Sequence, residues 1–367
     1  MDTMKKNKPR TKSLPPGEDI PQKMHFTQVD ILKGLAIIAV VLMHTYNRDF
    51  LSAIGAPFYL FQAVPVFILL AAFNNAYSLS SGKETTLARC YDLSILFRRL
   101  KRLMIPYVII WIIQILVVFW ILGALLDISV QNPNHFFYTG IDTVFNFLTG
   151  ASGPGNYFIP LIVQVILLVP LLYWLALRSP ALMLVVAFIA DLVLEYLSLL
   201  SDMPSWLYGP SITPFIFMAA LGVWLVFQER VVTPWILIGG LLSALYIAAV
   251  SYFNFQFWMF RTDTFFHHEF AFFWTLLIVV LGFQYLPSRP TNRVVGIVTE
   301  LGKASWHIFL VQMTWFFFLG YAYTPGTGST SSLFILALIY LIPCLLIGYG
   351  FYRLQTFFLD RKKSSAQ

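Results

Sequence analysis

Residues 29–44 read VDILKGLAIIAVVLMH, an apolar run that carries one acid and one base near its start and ends in a histidine. A helix needs about 20 mostly apolar residues to cross a hydrocarbon core of roughly 30 Å. Strands of a membrane barrel instead show alternating segments of about ten residues. This run is continuous, and comparable runs follow it along the chain. The sequence therefore predicts membrane-spanning helices.

The composition places the whole chain in the membrane class. Of its 367 residues 58% are hydrophobic and 11% are charged, against roughly 25% charged in soluble domains. We predict an all-α, polytopic integral membrane bundle of about ten transmembrane helices. The runs lie near 30–48, 57–79, 103–126, 156–177, 181–200, 210–228, 233–252, 268–286, 305–323 and 332–358. Residues 1–23 are interpreted as a disordered cytoplasmic tail, 24–359 as the membrane domain and 360–367 as a short cytoplasmic tail.

The basic residues predict the orientation of these spans. With the N-terminus in the cytoplasm, all of the 24 Lys and Arg residues except Arg48 and Arg261 fall in cytoplasmic segments, as the positive-inside rule requires. Both termini are therefore predicted to be cytoplasmic. The net charge of +7 is explained by this topology, so the lipid bilayer is the expected partner and nucleic acid is not.

The first span places two ionisable side chains on one face. Lys33 and His44 are eleven residues apart, which brings them within about 20° of each other on a helix, with a rise of roughly 16 Å. Asp30 lies one turn before Lys33 and is expected to pair with it. Lys33 is either an interfacial anchor or a functional cation, and His44 is either a structural group or a general base. Both interpretations of His44 predict a polar cavity around it.

A basic cluster, Arg98-Arg99-Leu100-Lys101-Arg102, stands at the cytoplasmic entrance to the third span. The positive-inside rule alone accounts for such a cluster. The alternative is recognition of phosphates on a cytosolic donor, because Arg98 and Arg102 are one turn apart and could bind the same group.

The outer loop before the fourth span holds Gly153, Pro154, Gly155, Asn156 and Tyr157, and Gln164 follows within the span. Glycines allow the backbone to approach a ligand closely, and tyrosine offers both a ring and a hydroxyl. Asn156, Tyr157 and Gln164 are candidate substrate-binding residues. A plain loop-to-helix turn is the alternative.

Asp191 and Glu195 lie on one face of the fifth span, where two ionised carboxylates would repel each other and one pKa should be raised. They are candidates for substrate binding or proton handling, or they face water between helices. Other polar residues in the spans, such as Asn74 and Asn75, are assigned to helix packing. No metal site is predicted, because His267, His268 and Glu269 are consecutive and cannot all point inward from one helix.

The set of motifs resembles the membrane-bound acyltransferase-3 family of bacterial sugar acyltransferases. The resemblance rests on five elements in order along the chain: Asp30-x-Leu32-Lys33-Gly34 with His44, Val64–Leu69, Arg98–Arg102 with Pro106, Tyr157–Pro160 with Gln164, and Leu301–Ser305. It implies an enzyme of the bacterial cytoplasmic membrane that transfers an acyl group, usually acetyl, from cytosolic acyl-CoA to a hydroxyl of a cell-surface glycan or lipid-linked saccharide.

Placed on this chain, that activity gives each motif a hypothetical role. The acyl-CoA phosphates would bind Lys33, Arg98, Arg99 and Arg102. His44 would act as general base or carry the acyl group, while Asp30 orients Lys33. No metal is expected to take part. The alternative function is a transporter or exporter of a glycan or lipid-linked sugar, with Asp191 and Glu195 coupled to protons. The acceptor and the oligomeric state do not follow from these residues.

Overall fold

The computed structural model describes residues 26–82, 85–117, 140–255, 257, 258, 261, 268–319 and 330–364. These residues form helices, turns and loops but no strand. The longer helices are α1 Thr27–Thr45, α2 Ala63–Ser81, α3 Leu93–Leu116, α4 Gly140–Leu148, α5 Phe158–Ala176, α6 Pro180–Leu200, α7 Ile216–Trp224, α8 Pro234–Phe253, α9 Phe272–Tyr285, α10 Arg293–Lys303, α11 Ser305–Leu319 and α12 Thr330–Ser364. The all-α prediction agrees with this architecture, and the predicted tail 1–23 lies outside the described residues.

The structure gives six or seven candidate spans among the described residues, against the ten predicted. In the described residues six helical segments are long and apolar enough to cross a membrane, and a seventh is obtained if α10 and α11 form one span. These two helices meet at an angle of 73°, so the span predicted at 305–323 belongs to a broken helix. Thr213–Trp224 and Glu269–Tyr285 are apolar but shorter. Ten spans and cytoplasmic termini therefore stay predictions.

Several helix starts follow directly from local sequence. Ser179 and Thr233 each accept a hydrogen bond from the backbone N–H three residues ahead, and a proline follows each of them at the first helical position. Such side chains satisfy backbone donors that the first turn leaves open, and proline has no N–H to satisfy there. α6 and α8 begin where the Ser-Pro and Thr-Pro pairs predict.

α3 begins at Leu93, ten residues before the predicted third span. Asp92 caps it by accepting a hydrogen bond from the backbone N–H of Ser94 at 2.7 Å. Hydrogen bonds from the side chain and backbone of Ser94 lower the pKa of Asp92. The basic cluster at 98–102 therefore lies on a helix rather than ahead of the third span predicted to begin near 103. Residues 118–126 of the predicted span lie outside the described part.

α2 lies at the centre of the bundle. Of its most apolar stretch, 72% is buried inside the protein, against 17% for α12. Gly222 on α7 permits close packing here, since a Cβ at that position would collide with the carbonyl oxygen of Leu69. Small residues let membrane helices approach at their backbones. One face of α2 consequently remains available to line internal cavities.

Candidate active site

Lys33 and His44 line the same internal cavity, which has a volume of about 300 Å³ and which we name the central cavity. This agrees with their predicted common face on α1. The walls between them are mainly apolar and are formed by Val64, Phe67, Leu103, Phe158, Ile162 and Phe309. A cavity does lie beside His44, but the prediction that it is polar is wrong, because the helices packed against α1 present mainly apolar side chains.

His44 lies in the last turn of α1, where the outer loop closes over its ring. Gly155 has φ +82°, and a methyl carbon on Gly155 would lie 3.6 Å from His44 Nε2. The Phe316 ring stands edge-on to the imidazole, with centroids 6.2 Å apart. Among the described residues nothing forms a hydrogen bond with His44. The imidazole thus faces the cavity with its polar atoms available to a substrate.

A second cavity, of about 650 Å³, collects four cationic side chains, and we name it the basic cavity. Lys33, Arg98, Arg99 and Arg102 all line it. Arg99 is held by its hydrogen bond to the carbonyl oxygen of Asn75 at 3.5 Å, whereas Arg98 and Arg102 are exposed. Guanidinium groups bind phosphate oxygens in pairs of hydrogen bonds. The predicted phosphate-binding residues are therefore brought together around one space.

The basic and central cavities share a wall. Lys33, Asn74, Asn75, Arg99 and Arg102 line both of them. The assignment of Asn74 and Asn75 to helix packing missed this position, although two adjacent amides within an apolar span are a detectable signal. The basic cavity is therefore adjacent to the apolar central cavity, with these five side chains between them.

A third space, of about 570 Å³, lies beyond the loop that covers His44, and we name it the outer cavity. Asn156 and Tyr157 line it together with Ser152, Trp206 and others. Tyr157 also lines the central cavity. Tyr157 therefore stands at the boundary between two cavities, whereas Asn156 lines the outer cavity alone.

Gln114 on α3 holds this outer loop in place. Its Nε2 donates hydrogen bonds to the Ser152 carbonyl oxygen and to Thr314 Oγ1, both at 3.0 Å, and its Oε1 accepts one from the Ser152 backbone N–H at 3.1 Å. Asn146 Nδ2 donates to Ser152 Oγ at 3.1 Å. Buried amides that satisfy backbone groups in this way fix a loop rigidly. The covering of His44 is therefore anchored to α3 and α11.

Two motifs that are distant in sequence meet on α1. A Cβ at Gly34 would overlap the Val298 carbonyl oxygen, and a Cβ at Gly302 would overlap that of Asp30. The glycines thus let α10 pack backbone to backbone against α1. Asp30 lines the basic cavity and acts electrostatically on Lys33. This contact explains why both motifs carry a glycine, and it fixes the start of α1 relative to the broken helix.

Gln164, Asp191 and Glu195 do not line any of the three cavities. Gln164 donates to the Pro210 carbonyl oxygen at 2.7 Å and accepts from the Ile212 backbone N–H at 3.0 Å. Asp191 accepts from the first backbone N–H groups of α7 at 3.0 and 2.8 Å, and Glu195 forms an ion pair with His268 at 3.0 Å. Their observed partners are backbone groups and one histidine, and substrate binding by these three residues stays a prediction.

The fold and the cavities define a multi-pass helical membrane protein with an accessible histidine between a cationic space and an outer space. Residues 26–353 match the model of a family described as an acyltransferase domain. The protein belongs to the membrane acyltransferase-3 family, as the resemblance of its motifs predicted. Membership supports acyl transfer as the reaction. Comparison with curated proteins and with solved structures found no match.

Proposed function

We propose that this protein transfers an acyl group, in the first instance acetyl, from a cytosolic acyl-CoA to a hydroxyl of a cell-surface glycan or lipid-linked saccharide. The observation that carries the proposal is the series of cavities. The basic and central cavities share Lys33 and two arginines, and the central and outer cavities share Tyr157. A donor with phosphates at one end and a thioester at the other matches this order from cationic to apolar.

Donor binding uses the charge difference between the two inner cavities. Phosphates bind Arg98, Arg102 and Lys33 through charge-assisted hydrogen bonds. The uncharged arm then passes Asn74 and Asn75 into the central cavity. Its apolar walls exclude water, which protects the thioester from hydrolysis.

The chemistry takes place at His44. Its imidazole removes the proton of the acceptor hydroxyl, whose oxygen attacks the thioester carbonyl. The carbon–sulfur bond breaks as the ester bond forms, and the proton passes from His44 to the departing sulfur. Tyr157 and Asn156 position the acceptor from the outer side. In the second version of this mechanism, His44 first accepts the acyl group and then passes it to the hydroxyl.

Mass spectrometry of surface polysaccharide from cells with and without the protein tests the proposal. We expect a mass increment equal to the acyl group in wild type and in His307→Gln, whose histidine bonds to Gln355 away from the cavities. The increment should be absent in His44→Ala at the same protein level. Undiminished acylation in His44→Ala would remove the histidine from the reaction.

A radiolabelled acyl-CoA distinguishes the two versions of the mechanism. Without acceptor, label that remains on denatured wild type but not on His44→Ala identifies an acyl-histidine. An unlabelled wild-type protein that still acylates glycan indicates direct transfer.

The exporter alternative depends on Asp191 and Glu195 as proton carriers. The described contacts of Asp191 do not favour it, because this carboxylate is engaged by two backbone N–H groups. Glycan transport in proteoliposomes without acyl-CoA would support the exporter over the acyltransferase.

A further inference from the structure

Glu195, His268 and Glu269 form a buried cluster outside the three cavities. Glu195 is on α6, and the other two residues precede α9. Glu195 and Glu269 have no exposed surface and His268 is 3% exposed. One nitrogen or oxygen atom of each residue lies within 4.8 Å of those of the other two. Three potential metal ligands from two separate elements are therefore gathered at one point.

In the described part of the chain, no other residue donates a hydrogen bond to either oxygen of the Glu269 carboxylate, and the same holds for Oε2 of Glu195. An ionised carboxylate in a low-dielectric interior costs several kcal/mol unless a partner compensates it. The fully buried Glu269 side chain, directed at Glu195 and His268, indicates a missing partner at this point.

The groups around the cluster carry more negative than positive charge, which also indicates a missing cation. Asp191 lies near enough to Glu269 and Glu195 to interact with both electrostatically. Beside them is Arg261, whose backbone N–H donates to Glu195 at 3.2 Å and whose guanidinium donates to the Met203 carbonyl oxygen at 2.7 Å. Within the described residues, three carboxylates therefore lie near one another with one guanidinium in their vicinity. A divalent cation would restore neutrality.

We infer that Glu195, His268 and Glu269 bind a divalent metal ion, with Zn²⁺ as the best match to one imidazole and two carboxylates. Zinc takes such ligands at roughly 2.0–2.2 Å, which puts tetrahedral ligand atoms about 3.3 Å apart. The Glu195 Oε1 to His268 Nδ1 distance is already 3.0 Å. Small side-chain shifts bring a carboxylate oxygen of Glu269 to the separation that tetrahedral ligand atoms require. The sequence concealed this set because Glu195 is distant in the chain from the two consecutive ligands.

The ion would hold α6 against the start of α9, close to the outer cavity. Arg261 Nη2 reaches Ser205 Oγ at 3.5 Å, and Ser205 lines that cavity. The site thus stabilises one wall of the outer cavity and is independent of the proposed acyl donor.

Metal analysis of the purified full-length protein tests the inference. The protein is prepared in detergent without a polyhistidine tag, stripped with a chelator, incubated with Zn²⁺ and desalted. We expect about one zinc per chain by mass spectrometry of the metal, and a melting temperature several degrees above that of the stripped protein. A wild-type protein that retains no zinc and shows no shift overturns the inference and leaves protons to neutralise the carboxylates.

Matched variants assign the zinc to these residues. Glu195→Gln/Glu269→Gln and His268→Gln should lose it, whereas His268→Cys supplies a thiolate ligand and should retain it. Glu300→Gln removes a glutamate that pairs with Lys303 elsewhere and should bind zinc as wild type does. If the double glutamine variant still binds about one zinc per chain, the assignment of the zinc to these residues is wrong.

Discussion

The backbone of Gly155 closes over the ring of His44, so that a methyl group on Gly155 would lie 3.6 Å from His44 Nε2 and 3.3 Å from Phe309 Cε2. An added methyl group would be in van der Waals contact with that nitrogen and would cover it from the side of the loop. The φ of +82° is a second reason for glycine, since residues with a side chain rarely adopt such a positive φ. Gly155 therefore combines the turn of the loop with access to the histidine.

Gly155→Ala is expected to reduce acyl transfer by at least about tenfold, because a barrier increase of 1.4 kcal/mol from a misplaced acceptor suffices for that. Acyl-CoA affinity should change little, since the basic cavity is untouched. Initial rates with saturating donor, alongside donor binding by calorimetry, measure the two effects.

Gly55→Ala is the matched control for this variant. Gly55 also has positive φ, +76°, but its nearest neighbours would be 3.9 Å or more from an added Cβ. Both substitutions carry a left-handed backbone strain of roughly 1–2 kcal/mol. Equal activity losses in the two variants would contradict a specific role of Gly155 at His44.

Arg98→Ala and Arg102→Ala should each weaken acyl-CoA binding by about tenfold, because a hydrogen bond to a charged group is worth roughly 1.5 kcal/mol. Both side chains are exposed, so the loss should shrink as salt rises. Titration of the donor at two ionic strengths measures it. Arg178→Ala removes a cation that stacks on Trp174 away from the cavities, and its donor affinity should equal that of wild type. Wild-type affinity in all three would exclude the arginines from the donor site.

Gly302→Ala is expected to destabilise the protein by roughly 1–3 kcal/mol, because the added methyl overlaps the Asp30 carbonyl oxygen and forces α1 and α10 apart. Thermal unfolding in detergent measures this. Gly296→Ala on the same helix meets nothing within 4 Å and should be neutral or slightly stabilising. If both variants melt as wild type does, the close contact of the two motifs is not needed for stability.

Asp191→Ala should destabilise the protein by roughly 2–4 kcal/mol, since two buried backbone N–H groups at the start of α7 lose their acceptor. Acyl-CoA affinity should be unaffected. The exposed acid Glu229 provides the control, and Glu229→Ala should leave the melting temperature unchanged. An Asp191→Ala protein that is fully stable but inactive would point instead to proton handling.

The part of the site that lies on single helices could be predicted from sequence. Lys33 and His44 fall on one face because a helix repeats every 3.6 residues, and Arg98 and Arg102 lie one turn apart for the same reason. The periodicity of a single helix determines which residues share a face, and this does not depend on the neighbouring helices. The cap at Asp92, which extends α3 beyond the predicted span, belongs to the same class of local signal.

Contacts between helices could not be predicted in this way. The pairing of Gly302 with Asp30, and of Glu195 with His268, depends on which helices become neighbours. The polarity of Gln164 and Asp191 was visible in the sequence, but their partners are backbone groups, which every residue carries and no sequence pattern marks. A buried acid that caps a helix and one that binds substrate therefore look alike before the fold is known.

The apolar walls between Lys33 and His44 have an electrical consequence. In the proposed reaction they keep the phosphates of the donor on one side. The acyl group moves outward to the acceptor as the formal equivalent of an acyl cation, and a proton moves inward to the departing thiolate. The two displacements cancel in charge, so the membrane voltage performs no net work on the transfer, and the rate should be the same in energised and de-energised vesicles.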